Sequence, residues 1–362
     1  MLSVGINASP LAAPRTGVGR YITGLLGALE RNPDPEVRCR ALFAPGAAIR
    51  SPTGIAARAF AAVRAAAKRL PAAYALADAA RAAVLVSEQR RGLTLYHETN
   101  HAAPPFSGPV VLTVHDLSTL IVPETEEPAR VRHFAPALRM HTRRAARVIT
   151  PTDAIATQVI ERLGVARDRI RVIPYGVSER FGPDGPTASP VPGRYVLYVG
   201  AIGPRKGVDT LLQAWRALAQ PLRRDHALVL VGPLQRLDPA ALDDAVLLGY
   251  VRDDELPPLF RGAAAFCYPS RYEGFGLPLV EALACGAVTV ASDDPALVEV
   301  AGGCALHFER GNSEALAAAL TRALQDEELR RELTRKGPLR AAQFTWDRMA
   351  AAHLATYREA AH

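Results

Sequence analysis

Short runs of β-branched and apolar residues alternate along the chain with longer stretches rich in Ala, Leu and Arg. This alternation is typical of β–α–β units, in which helices join parallel strands. In the first half the runs predict strands at 2–7, 38–44, 93–97, 110–115, 146–151 and 170–174. In the second half they predict strands at 195–200, 226–232, 245–251, 263–269 and 287–292. The pattern therefore predicts an α/β protein with two doubly wound parallel sheets of about five strands each.

A segment rich in Pro and Gly separates the two sets of predicted strands. Residues 181–193 lack apolar periodicity, as interdomain linkers do. We place the boundary near residue 185, with a first domain over 1–184 and a second over 185–344. The last segment, 345–362, is helical by composition and could pack back on the first domain.

The composition limits where the protein can reside and what it can bind. The four cysteines are scattered and form no Cys-x-x-Cys pair, so neither a zinc site nor a disulfide framework is indicated. No apolar run reaches the length of a membrane span and no secretory leader is recognisable, so we expect a cytoplasmic protein. The formal net charge of +7 arises in the first half, which could meet an anionic surface. Codon bias explains the basic excess equally well, because only three of the 43 basic residues are Lys.

An Ala- and Arg-rich stretch from Ile55 to Val86 could form a basic amphipathic helix. Its basic residues are Arg58, Arg64, Lys68, Arg69 and Arg81. Such a helix could lie at the inner face of the membrane, making the protein peripheral. It could equally be an ordinary exposed helix whose Arg stems cover a core. The chain has no nucleic-acid-binding motif or interleaved aromatic residues, so no nucleic-acid partner is expected.

The most informative stretch is PSRYEGFGLPLVEALACG, residues 269–286. A predicted strand ends near Pro269, a loop with two glycines follows, and a helix begins near Leu277. Glycines permit close backbone approach, and the free amides of a helix N-terminus favour an anion. Glu273 in the loop and Glu281 in the helix can point to the same side of the strand ends. One carboxylate could hold sugar hydroxyls and the other a ribose.

A second strand–turn–helix stretch, residues 195–215, contains two adjacent cations. Arg205 and Lys206 directly precede the predicted helix, where their charges and the unpaired amides converge. This arrangement suits a diphosphate. The alternative is a solvated pair at a helix start.

Two weaker motifs lie in the first half. The predicted strand 110–115 delivers His115 and Asp116 at its carboxyl end, where open α/β sheets bind ligands. Gly17 and Gly19 lie between the first strand and a helix that begins near Val18. They form half of a dinucleotide-binding fingerprint, without the third glycine, and could be turn residues only.

Glu273-x7-Glu281, with its surrounding glycines, resembles the EX7E signature of the retaining glycosyltransferases of family 4, the group 1 glycosyl transferases. The resemblance is strongest over 195–300 and weakest over 45–90. It implies the GT-B fold, with two Rossmann-like domains facing a central cleft. This chain has Ala201 where many relatives have Arg, and Tyr175 where Asn is common.

The resemblance also implies roles for the residues above. Arg205 and Lys206 would bind the pyrophosphate of a sugar donor, Glu273 would orient the sugar, and His115 would touch it near the scissile bond. These four are the predicted catalytic residues. The predicted donor-binding residues are Gly17, Gly19, Asp116, Tyr250, Val251, Gly274, Phe275, Gly276, Leu277 and Glu281.

The implied reaction is transfer of a hexose, with retention, from a nucleoside-diphosphate sugar to a glycan, lipid-linked or small-molecule hydroxyl, as in polysaccharide biosynthesis. The resemblance favours mannose or a deoxyhexose from a GDP-sugar, with UDP-sugars close behind. No Asp-x-Asp motif occurs, so we predict no metal and no cofactor beyond the nucleotide-sugar co-substrate. Two alternatives stay open: a nucleotide-sugar epimerase or hydrolase, and a non-catalytic nucleotide- or glycan-binding subunit.

Overall fold

The computed structural model describes residues 1–12, 16–44, 71–101 and 103–361. The chain divides into two compact units. The first comprises Met1–Gly176 and Trp346–His362, and the second comprises Val177–Thr345. The division thus precedes the Pro- and Gly-rich segment 181–193, and the last helix belongs to the first unit.

The described residues form two sheets and the helices that flank them. The strands are β1 (Leu2–Asn7), β2 (Val37–Leu42), β3 (Leu95–Glu98), β4 (Val110–Thr113), β5 (Arg147–Thr150), β6 (Ile170–Val172), β7 (Arg194–Val199), β8 (His226–Val231), β9 (Val246–Gly249), β10 (Ala265–Tyr268), β11 (Thr289–Ser292) and β12 (Leu306–Phe308). The α-helices are α1 (Gly17–Arg31), α2 (Pro71–Arg90), α3 (Ser118–Ile121), α4 (Pro128–Arg144), α5 (Asp153–Leu163), α6 (Val208–Ala217), α7 (Gln220–Asp225), α8 (Leu256–Gly262), α9 (Leu277–Ala284), α10 (Pro295–Ala301), α11 (Ser313–Gln325), α12 (Glu327–Ala341) and α13 (Trp346–Ala361).

In the first unit the strands are all parallel, in the order β2-β1-β3-β4-β5-β6. The direction of winding therefore reverses between β1 and β3. Helix α1 begins after Thr16, whose hydroxyl accepts a hydrogen bond from Gly19 N at 3.2 Å. Its apolar face then buries residues such as Ile22 and Leu25.

Helix α13 is anchored to the first unit by packing and by buried hydrogen bonds. Gly24 of α1 lies so close to the indole of Trp346 that an added Cβ would be 2.3 Å from a ring carbon. The Tyr21 hydroxyl lies 2.8 Å from Nε2 of His353, and the Tyr357 hydroxyl lies 2.8 Å from Nδ1 of His97 on β3. Buried polar groups need such partners, so these pairs fix where the helix docks.

In the second unit the strands are again parallel, in the order β12-β11-β10-β7-β8-β9. The first strand of this unit, β7, thus lies between β10 and β8. This is the doubly wound Rossmann order, and its winding reverses between β7 and β10.

The predicted α/β class with doubly wound parallel sheets is confirmed. Each predicted strand is present, with ends that shift by a few residues. The prediction of about five strands per sheet was low, because among the described residues each sheet has six. The second sheet gains β12, a three-residue strand that includes His307 and is too short to show a period.

The predicted basic helix over 55–86 lies partly outside the described residues. Arg58, Arg64, Lys68 and Arg69 fall there. Within the described part, Arg81 of α2 contacts the buried carboxylate of Glu98, with Nη1 3.2 Å from Oε2. Among the described helices, none combines the length and the apolar character that a membrane crossing requires.

Candidate active site

The site of greatest chemical interest lies at the carboxyl end of the second sheet, where β7 and β10 are neighbours. Open α/β sheets bind ligands at this kind of switch point, outside the carboxyl ends of the strands. Two loops leave the sheet there: 200–207 after β7 and 269–276 after β10. The first ends in a 3₁₀ turn, Pro204–Lys206, directly before α6, and the second ends at α9.

Lys206 and Glu273 form an ion pair that joins these two loops. The Lys206 Nζ contacts Oε1 of Glu273, and their side chains are only 15% and 8% exposed. The ammonium also lies 3.4 Å from the Tyr268 hydroxyl and 5.7 Å from the centroid of its ring. Burial acts to raise the pKa of Glu273, but Lys206 and Arg205 outweigh it and hold that pKa below its usual value. The Glu273 carboxyl is therefore ionised at neutral pH.

Arg205 and Arg271 connect the two loops through hydrogen bonds to backbone carbonyls. The Arg205 Nη1 donates to the carbonyl of Tyr272 at 3.0 Å. In return, Arg271 N donates to the carbonyl of Arg205 at 2.9 Å, and Arg271 Nη1 donates to that of Pro204 at 2.9 Å. The structure thus brings three of the predicted catalytic residues, Arg205, Lys206 and Glu273, to one place.

The loop that follows Glu273 leads directly into α9. Gly276 precedes the helix with φ +87°, and a Cβ there would be 2.5 Å from Leu297 Cδ2, so only glycine fits without displacement. Gly274, Phe275 and Leu277 are buried beside it. Glu281 lies within α9 and is 4% exposed. The predicted glycine-rich entry to a helix is present, with the amides of α9 at the switch-point edge.

Asp294, which the sequence did not single out, belongs to this site. It follows β11, is 2% exposed, and accepts hydrogen bonds from Ala296 N at 3.0 Å and Glu273 N at 3.4 Å. Burial, together with the charge of Glu273, raises the pKa of Asp294 to about 6. Arg310 approaches its carboxylate at 3.6 Å. Its only sequence signal was a position before the helix-starting Pro295, which is also where an ordinary N-cap stands.

Replacing Asp294 with Asn should stabilise the protein at pH 7.5 and change nothing near pH 4. The pKa of Asp294 is higher in the folded protein than in the unfolded chain, so ionisation of this carboxyl costs folding free energy. The wild type therefore loses stability as the pH rises from the unfolded-state pKa of Asp294 toward 6. Asn keeps the cap but cannot ionise; allowing for the lost attraction to Arg310, we expect a gain of about 1–2 kcal/mol. Urea unfolding across this range measures it.

The matched control for this change is Asp293→Asn. Asp293 also pairs with Arg310, at 3.7 Å, but its side chain is 46% exposed. Its free energy of unfolding should shift by less than about 0.5 kcal/mol at either pH. If the effect of Asp294→Asn did not depend on pH, the pKa of the Asp294 carboxyl would not be raised in the folded protein.

Tyr250 and Val251 lie apart from the Lys206–Glu273 pair. They follow β9, an edge strand separated from β7 by β8. Two strand spacings place them about 10 Å along the sheet edge from the switch point. The Tyr250 side chain is 63% exposed.

In the first unit, His115 lies just beyond β4 at the carboxyl edge of its sheet. Its Nε2 donates to the carbonyl of Thr99 at 2.7 Å, and its Nδ1 contacts the hydroxyl of Tyr175. The Tyr21 ring packs edge-on against the imidazole with centroids 5.0 Å apart. Burial lowers the pKa of His115 to about 4, so the ring is neutral at neutral pH. Both ring nitrogens are thus engaged by protein groups.

Asp116, Gly17 and Gly19 occupy the same edge of the first sheet. Asp116 Oδ1 accepts a hydrogen bond from Ser118 N at 2.9 Å, which opens α3. Gly17 is the first residue of α1, and no atom lies within 4 Å of a Cβ built on it. Gly19 N is already bound by the Thr16 hydroxyl, so this amide of the helix N-terminus is occupied.

Comparison with solved structures defines the class of fold. The chain is similar to sucrose-phosphate synthase from Thermosynechococcus elongatus, with TM-score 0.72 and 22% identity over 99% of this chain and 98% of that one. It is also similar to Alr3699/HepE from Anabaena, solved with UDP-glucose, with TM-score 0.65 and 17% identity over 98% and 100% of the two chains. The two parallel-sheet units therefore have the GT-B fold.

Sequence comparison identifies the family. Residues 15–181 match the model of glycosyltransferase family 4, and residues 185–340 match that of glycosyl transferases group 1. The chain is 33% identical over 270 residues to O-antigen chain mannosyltransferase B from Escherichia coli, which covers 70% of this chain and 71% of that protein. The chain belongs to glycosyltransferase family 4, as its motifs predicted.

Proposed function

We propose that this glycosyltransferase transfers mannose, or a related hexose, from a nucleoside-diphosphate sugar to an acceptor hydroxyl with retention of configuration. The observation that carries the proposal is the buried Lys206–Glu273 pair at the switch point of the second sheet. A GDP-sugar is the favoured donor, since a similar protein is named as a mannosyltransferase. The acceptor is a glycan or a lipid-linked sugar.

The charges at the switch point suit a sugar diphosphate. Lys206 and Arg205 provide cations at the loop before α6, and the positive end of the α9 dipole lies at the same edge of the sheet. Glu273 offers carboxylate oxygens that accept hydrogen bonds from sugar hydroxyls. On binding, Lys206 exchanges part of its contact with Glu273 for the phosphate, and the carboxylate turns to the sugar.

Retention follows if the acceptor attacks the face from which the diphosphate departs. The bond between the anomeric carbon and the phosphate oxygen breaks, and the acceptor oxygen bonds to that carbon on the same side. The departing phosphate oxygen takes the acceptor proton. Lys206 and Arg205 stabilise the negative charge that develops on the diphosphate, which is the largest electrostatic demand of the step. Glu273 orients the sugar.

Nucleotide binding tests the first part of this proposal. GDP at roughly 100 times its Kd should stabilise the protein by about 2.7 kcal/mol, which raises Tm by several degrees. UDP, ADP and dTDP in parallel identify the base. Lys206→Met should lose this shift, while Lys336→Met, at an exposed lysine that pairs with Glu332 in the same unit, should keep it. Failure of every nucleoside diphosphate to raise Tm would contradict the proposal.

Incubation with the donor alone separates the remaining alternatives. An epimerase interconverts the donor sugar and a hydrolase releases it at full rate without an acceptor. A binding subunit leaves the donor unchanged under all conditions. A transferase consumes the donor rapidly only when an acceptor is present, because its site shields the bound donor from water.

A further inference from the structure

The two hydrogen bonds of His115 determine which of its nitrogens carries the proton. The carbonyl of Thr99 can only accept, so Nε2, at 2.7 Å, is the protonated nitrogen. Because burial lowers the pKa of His115 to about 4, the ring is neutral and Nδ1 carries a lone pair. The hydroxyl of Tyr175 therefore donates to Nδ1.

Tyr175 is held firmly in this role. It is 6% exposed, and its ring packs edge-on against His115 with centroids 5.8 Å apart. Tyr21 packs against both rings, with its centroid 5.0 Å from each. Burial raises the pKa of Tyr175 well above its usual value, so the hydroxyl keeps its proton throughout the working range.

We propose that Tyr175 is a positioning residue that keeps His115 a hydrogen-bond donor through Nε2. While Nδ1 accepts a hydrogen bond from Tyr175, the ring can donate only through Nε2. On ligand binding, the Nε2 proton leaves the Thr99 carbonyl and forms a hydrogen bond to a ligand oxygen. His115 then acts as a hydrogen-bond donor to a ligand oxygen and not as a base. The consequence for turnover rests on the proposed function, whereas the contact itself does not.

Nitrogen NMR of the histidine rings tests the contact without turnover. Tyr175→Phe removes the donor to Nδ1. Tyr21→Phe is the matched control, since it removes another buried hydroxyl, bound to Thr113 Oγ1 at 2.9 Å and to His353, and spares both hydrogen bonds of His115. The Nδ1 resonance of His115, assigned by its loss in His115→Ala, should move in Tyr175→Phe alone. An unmoved resonance, or equal movement in both variants, would overturn the proposal.

Kinetics test the consequence. With GDP-mannose as donor and methyl α-mannoside as acceptor, Tyr175→Phe should lower kcat/KM for the donor about tenfold, and Tyr21→Phe by less than about twofold. In a His115→Ala background, Tyr175→Phe should have no further effect, because its influence passes through the imidazole. An equal loss in both backgrounds would show a merely structural role. If the wild-type chain transfers no sugar, the proposed function is contradicted. The NMR comparison then still tests the hydrogen bond between Tyr175 and His115.

Discussion

Lys206→Met is expected to lower kcat for sugar transfer by about 10²–10³-fold, since it removes a cation that stabilises the departing diphosphate. Glu273→Gln should cause a loss of similar size, because the sugar is no longer held for attack. Each change also breaks a buried ion pair and removes the oppositely charged group of the pair from the side chain that remains. The free energy of unfolding should therefore fall by about 2–4 kcal/mol in either single variant. Steady-state kinetics and urea unfolding measure the two effects.

The double variant separates function from stability. With Lys206→Met and Glu273→Gln combined, no unpaired charge remains, so most of the lost stability should return. Activity should not return, because both functional groups are gone. The exposed pair of Lys336 and Glu332 provides the control: its side chains are 43% and 48% exposed, and the same double change there should alter neither property measurably. Recovery of activity together with stability would show that the Lys206–Glu273 pair is only structural.

Gly207→Ala is expected to destabilise the second unit by more than about 3 kcal/mol and to abolish transfer. Gly207 adopts φ +66° between Lys206 and α6, and a Cβ there would be 2.0 Å from the carbonyl oxygen of Pro269. Relief of that clash must push apart the two loops that carry Lys206 and Glu273. Urea unfolding and the transfer rate report the damage.

Gly303→Ala is the control for this change. Gly303 also has a positive φ, +79°, but no atom lies within 4 Å of a Cβ built on it. The Gly303→Ala variant should lose only the free energy of placing Ala in the left-handed backbone region, about 1 kcal/mol, and should retain activity. Equal costs at Gly207 and Gly303 would mean that the approach of the two loops is not needed for stability.

Local pattern was enough to predict eleven of the twelve described strands and the loops that follow them. Parallel strands buried on both faces appear as short apolar runs, and glycines and charges after 195–200 and 263–269 indicated the loops at the carboxyl ends of these strands. The order of strands in a sheet depends on contacts between distant segments, which no local pattern reveals. The contact of Lys206 with Glu273 exists because β10 lies beside β7, and only the structure shows this.

The residues that sequence reasoning missed owe their roles to partners far along the chain. Tyr175 bonds to His115, and Thr99 accepts from the same imidazole, although no motif connects the three. In the sequence Asp294 resembles an ordinary helix N-cap, and only the structure shows its hydrogen bond with Glu273 N. The histidine motif itself was visible, but its occupied nitrogens were not.

The anomeric configuration of the product tests most directly whether this protein transfers a sugar with retention. The wild-type chain is incubated with GDP-α-mannose and methyl α-mannoside, and the anomeric one-bond carbon–proton coupling of the product is measured by NMR. The product should be an α-linked disaccharide, formed by wild type and Lys336→Met and lost in Lys206→Met. A β-linked product would contradict retention, and an undiminished yield from Lys206→Met would contradict the proposed site.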